Sequence, residues 1–520
     1  MGEVVPGGIS RTNRADRRGP VGGRPDGGTS PRVLGARRGL RPQVRGGQHP
    51  ASDGIGPFVR SGISVAPGSR VGGMADVPAD LQAAVDAVLP DARRDLEGLV
   101  RIPSIWADPG HREDTRRSAD AVATLAREAG AASVQVLAAE GGAPAVVAHW
   151  PAPEGQPTVM LYAHHDVQPT GGDDLWTSAP FEPTERDGRL YGRGAADDKA
   201  GVMTHLATLR AYDGRPPVGV TLFIEGEEES GSPTLSALLA EHHAELAADV
   251  IVIADAGNPA VDVPALTTSL RGLTNIVVEV SMLERAVHSG VYGGPAGDAL
   301  TALCRLLATL HDDKGSVAVS GLVRGSSDVP GMSEEQFRGD AGVLDGVDLL
   351  GTGTIEERIA QQPAIAVLGI DAPAVEGAAN ILVHRARSMI SVRLAPGDAT
   401  TSAFEAVREH LARHAPWGVG LEVSLHAAGE PFALSPTGSV YDLARDALSA
   451  AFGSETVEMG MGGTIPFIAE FARTFPGATV LVTGVGDPAS RWHGIDESLH
   501  LAMFRRCVLA ETLLLRSLAR

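Results

Sequence analysis

The segment TVMLYAHHDVQP (residues 158–169) joins an apolar run to a polar end, and this combination decides the fold class. A run that is apolar throughout is typical of a strand buried on both faces of a sheet. Similar strand-like runs follow in GVTLFIEG (219–226) and DVIVIAD (249–255), with helix-like segments at 199–211 and about 233–247 between them. This alternation predicts an α/β domain whose mostly parallel central sheet is flanked by helices.

The order of the predicted elements changes after Arg271. Strand-like and helix-like segments between residues 271 and 428 alternate as β-α-β-β-α-β, which is the ferredoxin-like arrangement. We therefore expect a first part of the α/β domain at 74–270, an inserted domain at 271–428 and the second part of the α/β domain at 429–520. Upstream of the opening segment, residues 80–102 and 118–130 predict amphipathic helices, the second with Ser118 as N-cap.

Residues 1–73 differ in composition from the rest of the chain. They are rich in Gly, Pro and Arg without hydrophobic periodicity, so we expect disorder. An Arg-rich stretch of this kind suits an RNA-binding tail or a transit peptide. We favour a third explanation, in which Met74 is the true start and the upstream stretch is an over-called reading frame.

Charge and cysteine content exclude several classes of function. Residues 1–73 carry twelve Arg against four acidic residues, a net of +8, so the remainder carries −28 of the total of −20. A body this acidic repels nucleic acid and anionic membranes. The sequence also lacks a run of about 18 apolar residues, so it predicts no transmembrane helix. The two cysteines, Cys304 and Cys507, are too few for a disulfide framework. We expect both to be buried and inert, in a cytoplasmic protein.

Acidic and histidine side chains occur where predicted strands end. Ligands bind beyond the carboxyl ends of strands in an open α/β sheet, so these side chains should converge. They occur in five places: His164 and Asp166 in the opening segment, Asp197 and Asp198 in LYGRGAADDKAG (190–201), four glutamates in LFIEGEEESGS (222–232), Asp255 in DVIVIADAGN (249–258) and His493 in GDPASRWHGIDES (486–498).

Each place has an ordinary structural explanation when it is taken alone. A strand-end histidine can simply be hydrogen-bonded, and acidic pairs often form solvated turns. Together, however, two histidines and several carboxylates without cysteine suit a pair of divalent metals such as Zn²⁺, Mn²⁺ or Co²⁺. Lys199 adds weight to a functional reading, because the chain has only one other lysine, Lys314, against 42 Arg.

These residues lie in motifs that resemble the two-metal metallopeptidase family of aminoacylase, carnosinase, glutamate carboxypeptidase, acetylornithine deacetylase and succinyl-diaminopimelate desuccinylase. Gln168 and the stretch DLWTSAPFEP (174–183) are most similar to the dipeptidase branch. Seven motifs occur in the family's order: H-x-D-V-Q-P (164–169), Y-G-R-G-x-x-D-D-K (191–199), E-G-x-E-E-S-G-S (225–232), R-G-L (271–273), H-S-G-x-Y-G-G (288–294), G-G-T-I-P (462–466) and H-x-x-x-E (493–497).

The resemblance implies a role for each matching residue around two divalent metals per subunit, with zinc expected. His164 and Asp255 would bind one metal, Glu229 and His493 the other, and Asp197 would bridge them. Glu228 would be the general base, Asp166 would orient His164, and the Asp197–Asp198 peptide bond would be cis.

The resemblance also implies that the inserted domain is a lid that carries a homodimer contact. His288 would reach the active site of the partner subunit and stabilise the oxyanion, and Arg393 would hold the substrate carboxylate. Asn380, His426 and Thr464 match substrate-pocket positions. From the residues alone, Arg393 could equally be a strand arginine paired with a carboxylate, and His426 a surface histidine. Three departures, Ala163, Ala286 and Asp496, stand where the family has Gly, Asp and Asn, and none removes a ligand.

The expected function is metal-dependent hydrolysis of dipeptides or short peptides with a free C-terminus. Two alternatives stay open at this point. One is deacylation of N-acyl amino acids with the same metals and base, and the other is a non-catalytic dimeric binding protein on the same scaffold.

Overall fold

The computed structural model describes residues 77–327, 332–463 and 466–519. The predictions for residues 1–73 and for Thr464 therefore lie outside the described residues. Among the described residues, no helix combines the length and the apolar content that a bilayer crossing requires.

The first part of the chain supplies five strands of the central sheet and most of its helices. Its elements in chain order are α1 (Ala79–Val100), α2 (Arg112–Glu128), β1 (Ser133–Leu137), β2 (Ala145–Trp150), β3 (Thr158–His164), β4 (Thr184–Arg186), β5 (Arg189–Tyr191), α3 (Lys199–Ala211), β6 (Gly219–Glu225), α4 (Leu235–Glu241), α5 (His243–Leu246), β7 (Val250–Ile253) and β8 (Ala265–Leu270).

The middle part contains the long strands after Arg271, and the last part returns to the central sheet. The middle elements are β9 (Gly272–Ser281), β10 (Val287–His288), α6 (Ser289–Tyr292), α7 (Ala299–Ala308), α8 (Glu334–Ala341), β11 (Ala364–Asp371), β12 (Ile381–Leu382), β13 (Arg385–Leu394), α9 (Thr400–His414) and β14 (Gly420–Gly429). The last elements are β15 (Phe432–Ala433), α10 (Ser439–Phe452), β16 (Val457–Met461), α11 (Pro466–Thr474), β17 (Thr479–Val482), β18 (Ser498–His500) and α12 (Leu501–Leu518).

A six-stranded mixed sheet forms the centre of the α/β part, in the order β1-β2-β6-β3-β7-β17. The pairs β6–β3, β3–β7 and β7–β17 are parallel, whereas β1–β2 and β2–β6 are antiparallel. Alternate residues of β3 enter different cores: Leu161 and Ala163 pack with α1, α3 and α12, while Met160 and Tyr162 pack with α4 and α11. Burial on both faces explains the unbroken apolar run, and the predicted α/β class is confirmed.

A separate four-stranded antiparallel sheet follows, in the order β11-β13-β9-β14. Helices α7 and α9 pack against it and share a hydrophobic core with its strands. These six elements follow one another as strand, helix, strand, strand, helix, strand. The two-stranded pair of β10 and β12 and the helix α8 lie in the connections between these six elements.

Two local predictions were wrong. Helix α2 begins at Arg112, so Ser118 is not its N-cap but lies buried within it, where its hydroxyl contacts the His165 carbonyl. Cys304 is exposed, because the buried face of the amphipathic helix α7 is formed by Ala299, Ala302, Leu303, Leu306 and Leu307. Cys507 is buried as expected, and burial raises the pKa of its thiol to about 12.

Candidate active site

His164 is the last residue of the central strand β3 and is fully buried. Its Nδ1 lies 3.1 Å from the backbone carbonyl oxygen of Asp166. Because a carbonyl can only accept, Nδ1 carries the hydrogen, and Nε2 is the nitrogen that faces the other polar residues. Nε2 lies 3.2 Å from Asp197 Oδ1 and 3.9 Å from both Glu228 Oε2 and Asp255 Oδ1.

The Asp197 carboxylate lies between the two histidines. Its Oδ1 faces His164, and its Oδ2 lies 3.1 Å from Nε2 of His493, which is also 3.1 Å from Glu229 Oε2. Burial opposes ionisation of Asp197, but the hydrogen bonds from the two imidazoles outweigh it and lower its pKa. Hydrogen bonds to Asp197 and Glu229 raise the pKa of His493 to about 10. A metal that binds His493 must therefore displace a proton.

The turn that presents Asp197 depends on two glycines and contains the cis Asp197–Asp198 peptide bond that the resemblance implies. Gly194 has a φ of 80°, and a Cβ there would lie 2.5 Å from Val167 Cγ1. A Cβ at Gly201 would lie 2.3 Å from Asp198 Oδ1. The turn therefore packs too closely for larger residues at these two positions.

Glu497 holds this turn from the opposite side, although sequence reasoning gave it no role. Its Oε1 accepts hydrogen bonds from the backbone N–H groups of Ala196 and Asp197 at 2.9 and 3.0 Å, and its Oε2 accepts one from Gly194 at 3.1 Å. Arg193 Nη1 lies 2.6 Å from Oε2, and both side chains are almost completely buried. The signal was present, because Glu497 ends the H-x-x-x-E motif and Arg193 lies in Y-G-R-G.

Arg193 also connects the loops that carry the site. Its Nη2 donates to the backbone carbonyl oxygens of Pro169 and Gly494, each at 3.2 Å. One buried guanidinium therefore contacts the loop after His164, the turn before Asp197 and the loop around His493.

The acidic segment after β6 divides into two pairs of glutamates. Glu225 accepts a hydrogen bond from the Tyr162 hydroxyl at 2.6 Å, and Glu227 accepts bonds from the backbone N–H groups of Ala143 and Thr234. Glu228 and Glu229 instead face the two histidines. Strand-end position alone could not separate these pairs, whereas the match to the E-G-x-E-E-S-G-S motif predicted roles for Glu228 and Glu229 only.

Asp166 positions the acidic turn. Its two carboxylate oxygens accept the backbone N–H groups of Glu228 and Glu229 at 3.2 and 3.1 Å, while its Oδ1 lies 3.4 Å from His164 Nδ1. Gln168 adds a hydrogen bond of 2.9 Å to Glu229 Oε2. Asp166 thus contacts both the predicted base and the imidazole that it is predicted to orient.

The electrostatics of the cluster favour bound cations. Burial and the neighbouring carboxylates raise the pKa values of Glu228 and Asp255 well above their usual range, although His164 opposes the rise. Burial and Asp197 also raise the pKa of Glu229. Divalent cations beside these carboxylates would reverse such shifts.

Within the described parts of the chain, two groups of side chains have donor atoms close enough to share one ion. They are His164, Asp198 and Asp255, and His164, Asp197 and Glu229, with the donor atoms of each group within 4.8 Å of one another. The imidazole and carboxylate donors fit Zn²⁺ or a similar divalent ion. Asp198 was not a predicted ligand, and its Oδ2 also accepts the backbone N–H of His164 at 3.3 Å.

The predicted residues of the middle part lie on its own sheet and connections. His288 is exposed and pairs with Ile381 in the β10–β12 ladder, next to Asn380, whose carbonyl accepts the N–H of Ser289. His426 is exposed at the irregularity of β14 between Leu425 and Ala427. Among the described residues, neither histidine belongs to a group whose donor atoms lie close enough to share one ion.

Arg393 lies half-buried on β13, and burial lowers its pKa. Burial, together with the positive charge of Arg393, lowers the pKa of Arg271 to about 10. Arg271 Nε donates to the Gly462 carbonyl at 3.2 Å. Arg271 therefore contacts the G-G-T-I-P motif at Gly462, a contact that sequence reasoning missed although R-G-L was among the motifs.

The Lys199 side chain contacts the backbone at the end of α1 and not the side chains around His164 and Asp197. Its buried Nζ donates to the backbone carbonyl oxygens of Leu99 and Ile102, at 2.9 and 2.7 Å. Burial lowers its pKa to about 7. The lysine therefore holds the C-terminal end of α1 against α3.

Comparison with known proteins identifies the family. The chain is 39% identical over 362 residues to a cysteinylglycine-S-conjugate dipeptidase of Corynebacterium striatum, covering 68% of this chain and 80% of the relative. It is 28% identical over 380 residues to the Beta-Ala-His dipeptidase of Rattus norvegicus, covering 67% of this chain and 76% of the relative. The crystal structure of human carnosine dipeptidase 1 matches with a TM-score of 0.74 and 25% identity, covering 85% of this chain and 99% of that structure. The sequence profile of peptidase family M20/M25/M40 matches residues 160–517, so the resemblance is confirmed and the chain belongs to this family.

Proposed function

We propose that this metallopeptidase is a dipeptidase, which hydrolyses the amide bond of dipeptides or short peptides with a free C-terminal carboxylate. The observation that carries the proposal is the pair of imidazoles on the two oxygens of Asp197, 3.2 and 3.1 Å away, with Glu228 beside them. The relatives are named for dipeptides of two kinds, cysteinylglycine conjugates and Beta-Ala-His. Dipeptides of these kinds are the first substrates to test.

Two divalent ions, with zinc as our first choice, are the proposed cofactors. His164 and Asp255 would hold one ion, Glu229 and His493 the other, and Asp197 would contact both. When bound, the pair would supply Lewis-acid activation of a water molecule and of the scissile carbonyl. The donor set supports this assignment because every group is an imidazole or a carboxylate.

Glu228 is the proposed general base. It has no place in the hydrogen-bond network that holds Glu225 and Glu227, and its carboxylate is 3.9 Å from His164 Nε2. A carboxylate beside the proposed metal ligands can accept a proton from a water molecule in the same site. Glu228 would take a proton from the attacking water and deliver it to the leaving amine.

The substrate carboxylate is assigned to Arg393, with Asn380, His426 and Thr464 as further substrate contacts. An arginine fork suits a carboxylate because it can donate two parallel hydrogen bonds. The nearby Arg271 adds positive charge and reaches the G-G-T-I-P motif through Gly462.

We further propose that residues 271–428 are a lid that joins two copies of the chain. The edge strands β11 and β14 expose Val367, Leu368, Ile370 and Leu425, and the turn after His288 exposes Val291 and Tyr292. Exposed apolar edge strands readily pair with another chain. In such a dimer His288 would stabilise the oxyanion in the partner's site, which agrees with its exposure and with its absence from the described donor groups around His164.

Mixing two inactive variants tests this assignment. Glu228→Gln and His288→Ala dimers should each be nearly inactive. After subunit exchange about half of the dimers are mixed, and each mixed dimer has one complete site, with Glu228 from one subunit and His288 from the other. About a quarter of the wild-type activity should therefore return. A monomer in sedimentation experiments, or no recovery despite exchange, would contradict the dimeric site.

A substrate panel tests the proposed function itself. The metal-loaded enzyme should hydrolyse Cys-Gly, Ala-Gly and β-Ala-His with kcat/KM at least tenfold above that for N-acetyl and N-succinyl amino acids. Dialysis against a chelator should abolish the activity, and Zn²⁺ should restore it. Cleavage of the N-acyl compounds alone would indicate a deacylase, and no cleavage by metal-loaded protein would indicate a binding protein.

A cytoplasmic location is the remaining proposal. Both cysteines are free thiols, and one of them is exposed, which suits a reducing compartment. Fractionation of the native cells would test it.

A further inference from the structure

A pocket of about 220 Å³ lies between the hairpin of β4 and β5 (residues 184–191) and the loop that precedes β18. The described residues that line it include three arginines, Arg186, Arg189 and Arg491, and one carboxylate, Asp496. Three positive charges against one negative charge give the lining a net charge of +2. The whole chain has a net charge of −20, so this pocket opposes the general charge of the protein.

The hairpin places two of these arginines directly opposite each other. Arg186 pairs with Arg189 across the two-residue turn of Asp187 and Gly188. Like charges at directly opposite positions destabilise a strand pair. Asp487 compensates Arg189 at 2.7 Å, whereas the ion pair of Arg186 with Asp496 is long, at 3.8 Å. Positive charge on the hairpin is therefore only partly compensated by the described carboxylates.

Both hairpin guanidinium groups are held in place by neighbouring side chains. The Arg186 guanidinium lies over the Tyr191 ring, 3.8 Å from its centre, and its Nη1 donates to Ser178 Oγ at 2.8 Å. Arg189 Nε donates to Ser498 Oγ at 2.8 Å, and this side chain is only 11% exposed. Groups that are fixed before binding lose little conformational entropy when a ligand arrives.

The third arginine, Arg491, has an uncommitted guanidinium. It is exposed, and none of the described residues forms a hydrogen bond or an ion pair with its guanidinium. The Asp496 carboxylate accepts the backbone N–H of Thr177 at 2.9 Å and its hydroxyl at 2.7 Å. Arg491 can therefore turn towards a ligand without giving up a contact with a described residue.

We propose that this pocket binds a phosphate group, either as inorganic phosphate or as part of a small phosphate monoester. A phosphate monoester carries a charge of about −1.5 to −2 at pH 7 and three acceptor oxygens. It can accept hydrogen bonds from three guanidinium groups at once, whereas a carboxylate has only two oxygens. The inference goes beyond the proposed function, because it requires neither substrate nor turnover.

A bound phosphate would also stabilise the loop that carries His493. Arg491, His493 and Asp496 have φ values of 54°, 59° and 58°, in the left-handed region that residues other than glycine seldom adopt. Such a loop depends on contacts from outside, and Asp496 has one with Thr177. A phosphate that joins Arg491 to the hairpin would add a second contact at the other end of the loop.

Calorimetric titration of the metal-loaded enzyme with inorganic phosphate and with glycerol 3-phosphate tests the binding. Arg491→Gln should raise Kd at least about tenfold, because a hydrogen bond to a charged group is lost. Arg505→Gln removes the same charge from a surface ion pair with Asp86, outside the lining of the pocket. This control should leave Kd within about twofold of the wild-type value, since salt screens remote charges.

Hydrogen exchange measures the effect on the loop. Phosphate should slow the exchange of the backbone amides of residues 491–496 in the wild-type enzyme and in Arg505→Gln, but not in Arg491→Gln. Should Arg491→Gln not fold, Arg186→Gln removes another guanidinium of the pocket and should weaken binding to a similar extent.

The outcomes identify the ligand or overturn the proposal. A lower Kd for glycerol 3-phosphate supports a phosphate monoester, and a lower Kd for inorganic phosphate supports the free ion. Tighter binding of succinate than of either phosphate compound would overturn the assignment to a phosphate group. An unchanged Kd in Arg491→Gln and Arg186→Gln, as expected for phosphate held by the metals, or no binding at all, would overturn the site. None of these results bears on dipeptide hydrolysis, which the substrate panel tests separately.

Discussion

Replacing Glu228 with glutamine is expected to lower kcat for a dipeptide by about 10²- to 10⁴-fold, the usual contribution of a general base. The amide has nearly the same shape as the carboxylate but cannot accept the proton of the attacking water. His164, Asp197, Glu229, Asp255 and His493 remain in place, so metal content should stay nearly intact. Steady-state kinetics combined with metal analysis of the purified variant provides the measurement.

Glu227→Gln is the matched control within the same acidic segment. Glu227 accepts the backbone N–H of Ala143 at 3.0 Å and that of Thr234 at 2.8 Å, away from the two histidines. Its amide loses one acceptor, so the free energy of unfolding should fall by about 1–3 kcal/mol. Turnover should remain far above that of Glu228→Gln. Equal activity of the two variants, or full activity of Glu228→Gln, would refute the assignment of the base.

Replacing Glu497 with leucine is expected to lower the free energy of unfolding by about 3–5 kcal/mol, because the change leaves Arg193 as an uncompensated buried charge. The N–H groups of Gly194, Ala196 and Asp197 also lose their acceptors. Since this turn presents Asp197 to both histidines, affinity for the metals should fall as well. Urea unfolding and metal titration measure the two effects.

An exposed ion pair provides the comparison for Glu497. Asp86 and Arg505 are joined at 2.6 Å on the surface, where an ion pair contributes only about 0–1 kcal/mol. Asp86→Ala should therefore change the free energy of unfolding little and leave metal affinity as in the wild type. Similar stability losses in Asp86→Ala and Glu497→Leu would show that Glu497 does not hold the turn.

The central strands could be predicted from the sequence because they are buried on both faces. Strand β3 ends at His164 and helix α3 spans Lys199–Ala211, as the apolar run and the helix-like segment indicated. Helix boundaries were less predictable where polar residues face solvent. Helix α2 begins six residues before Ser118, since Arg112–Arg117 form helix without apolar periodicity. The exposure of Cys304 depended similarly on which face of α7 meets its sheet.

The metal-binding residues of the opening strand and its neighbours followed from position and motif order. Every predicted ligand described by the structure lies in one cluster around His164 and Asp197, although its role as a ligand stays a prediction. The sequence did not predict that Asp198 shares a donor group with His164 and Asp255, or that Lys199 only supports α1. Adjacent charged residues such as Asp197, Asp198 and Lys199 cannot be assigned different roles from the sequence, because the backbone conformation decides the side to which each side chain points.

By itself, the sequence determined the fold class and the approximate composition of the site, because apolar runs and strand-end polar residues are local features of the chain. Only the tertiary structure showed how Glu225 and Glu227 are held away from the histidines. Only it assigned Glu497 and Arg193 to the turn before Asp197. These assignments depend on contacts between residues about 300 positions apart. A local sequence pattern cannot predict such contacts, because they form only when distant segments pack against the same edge of the sheet.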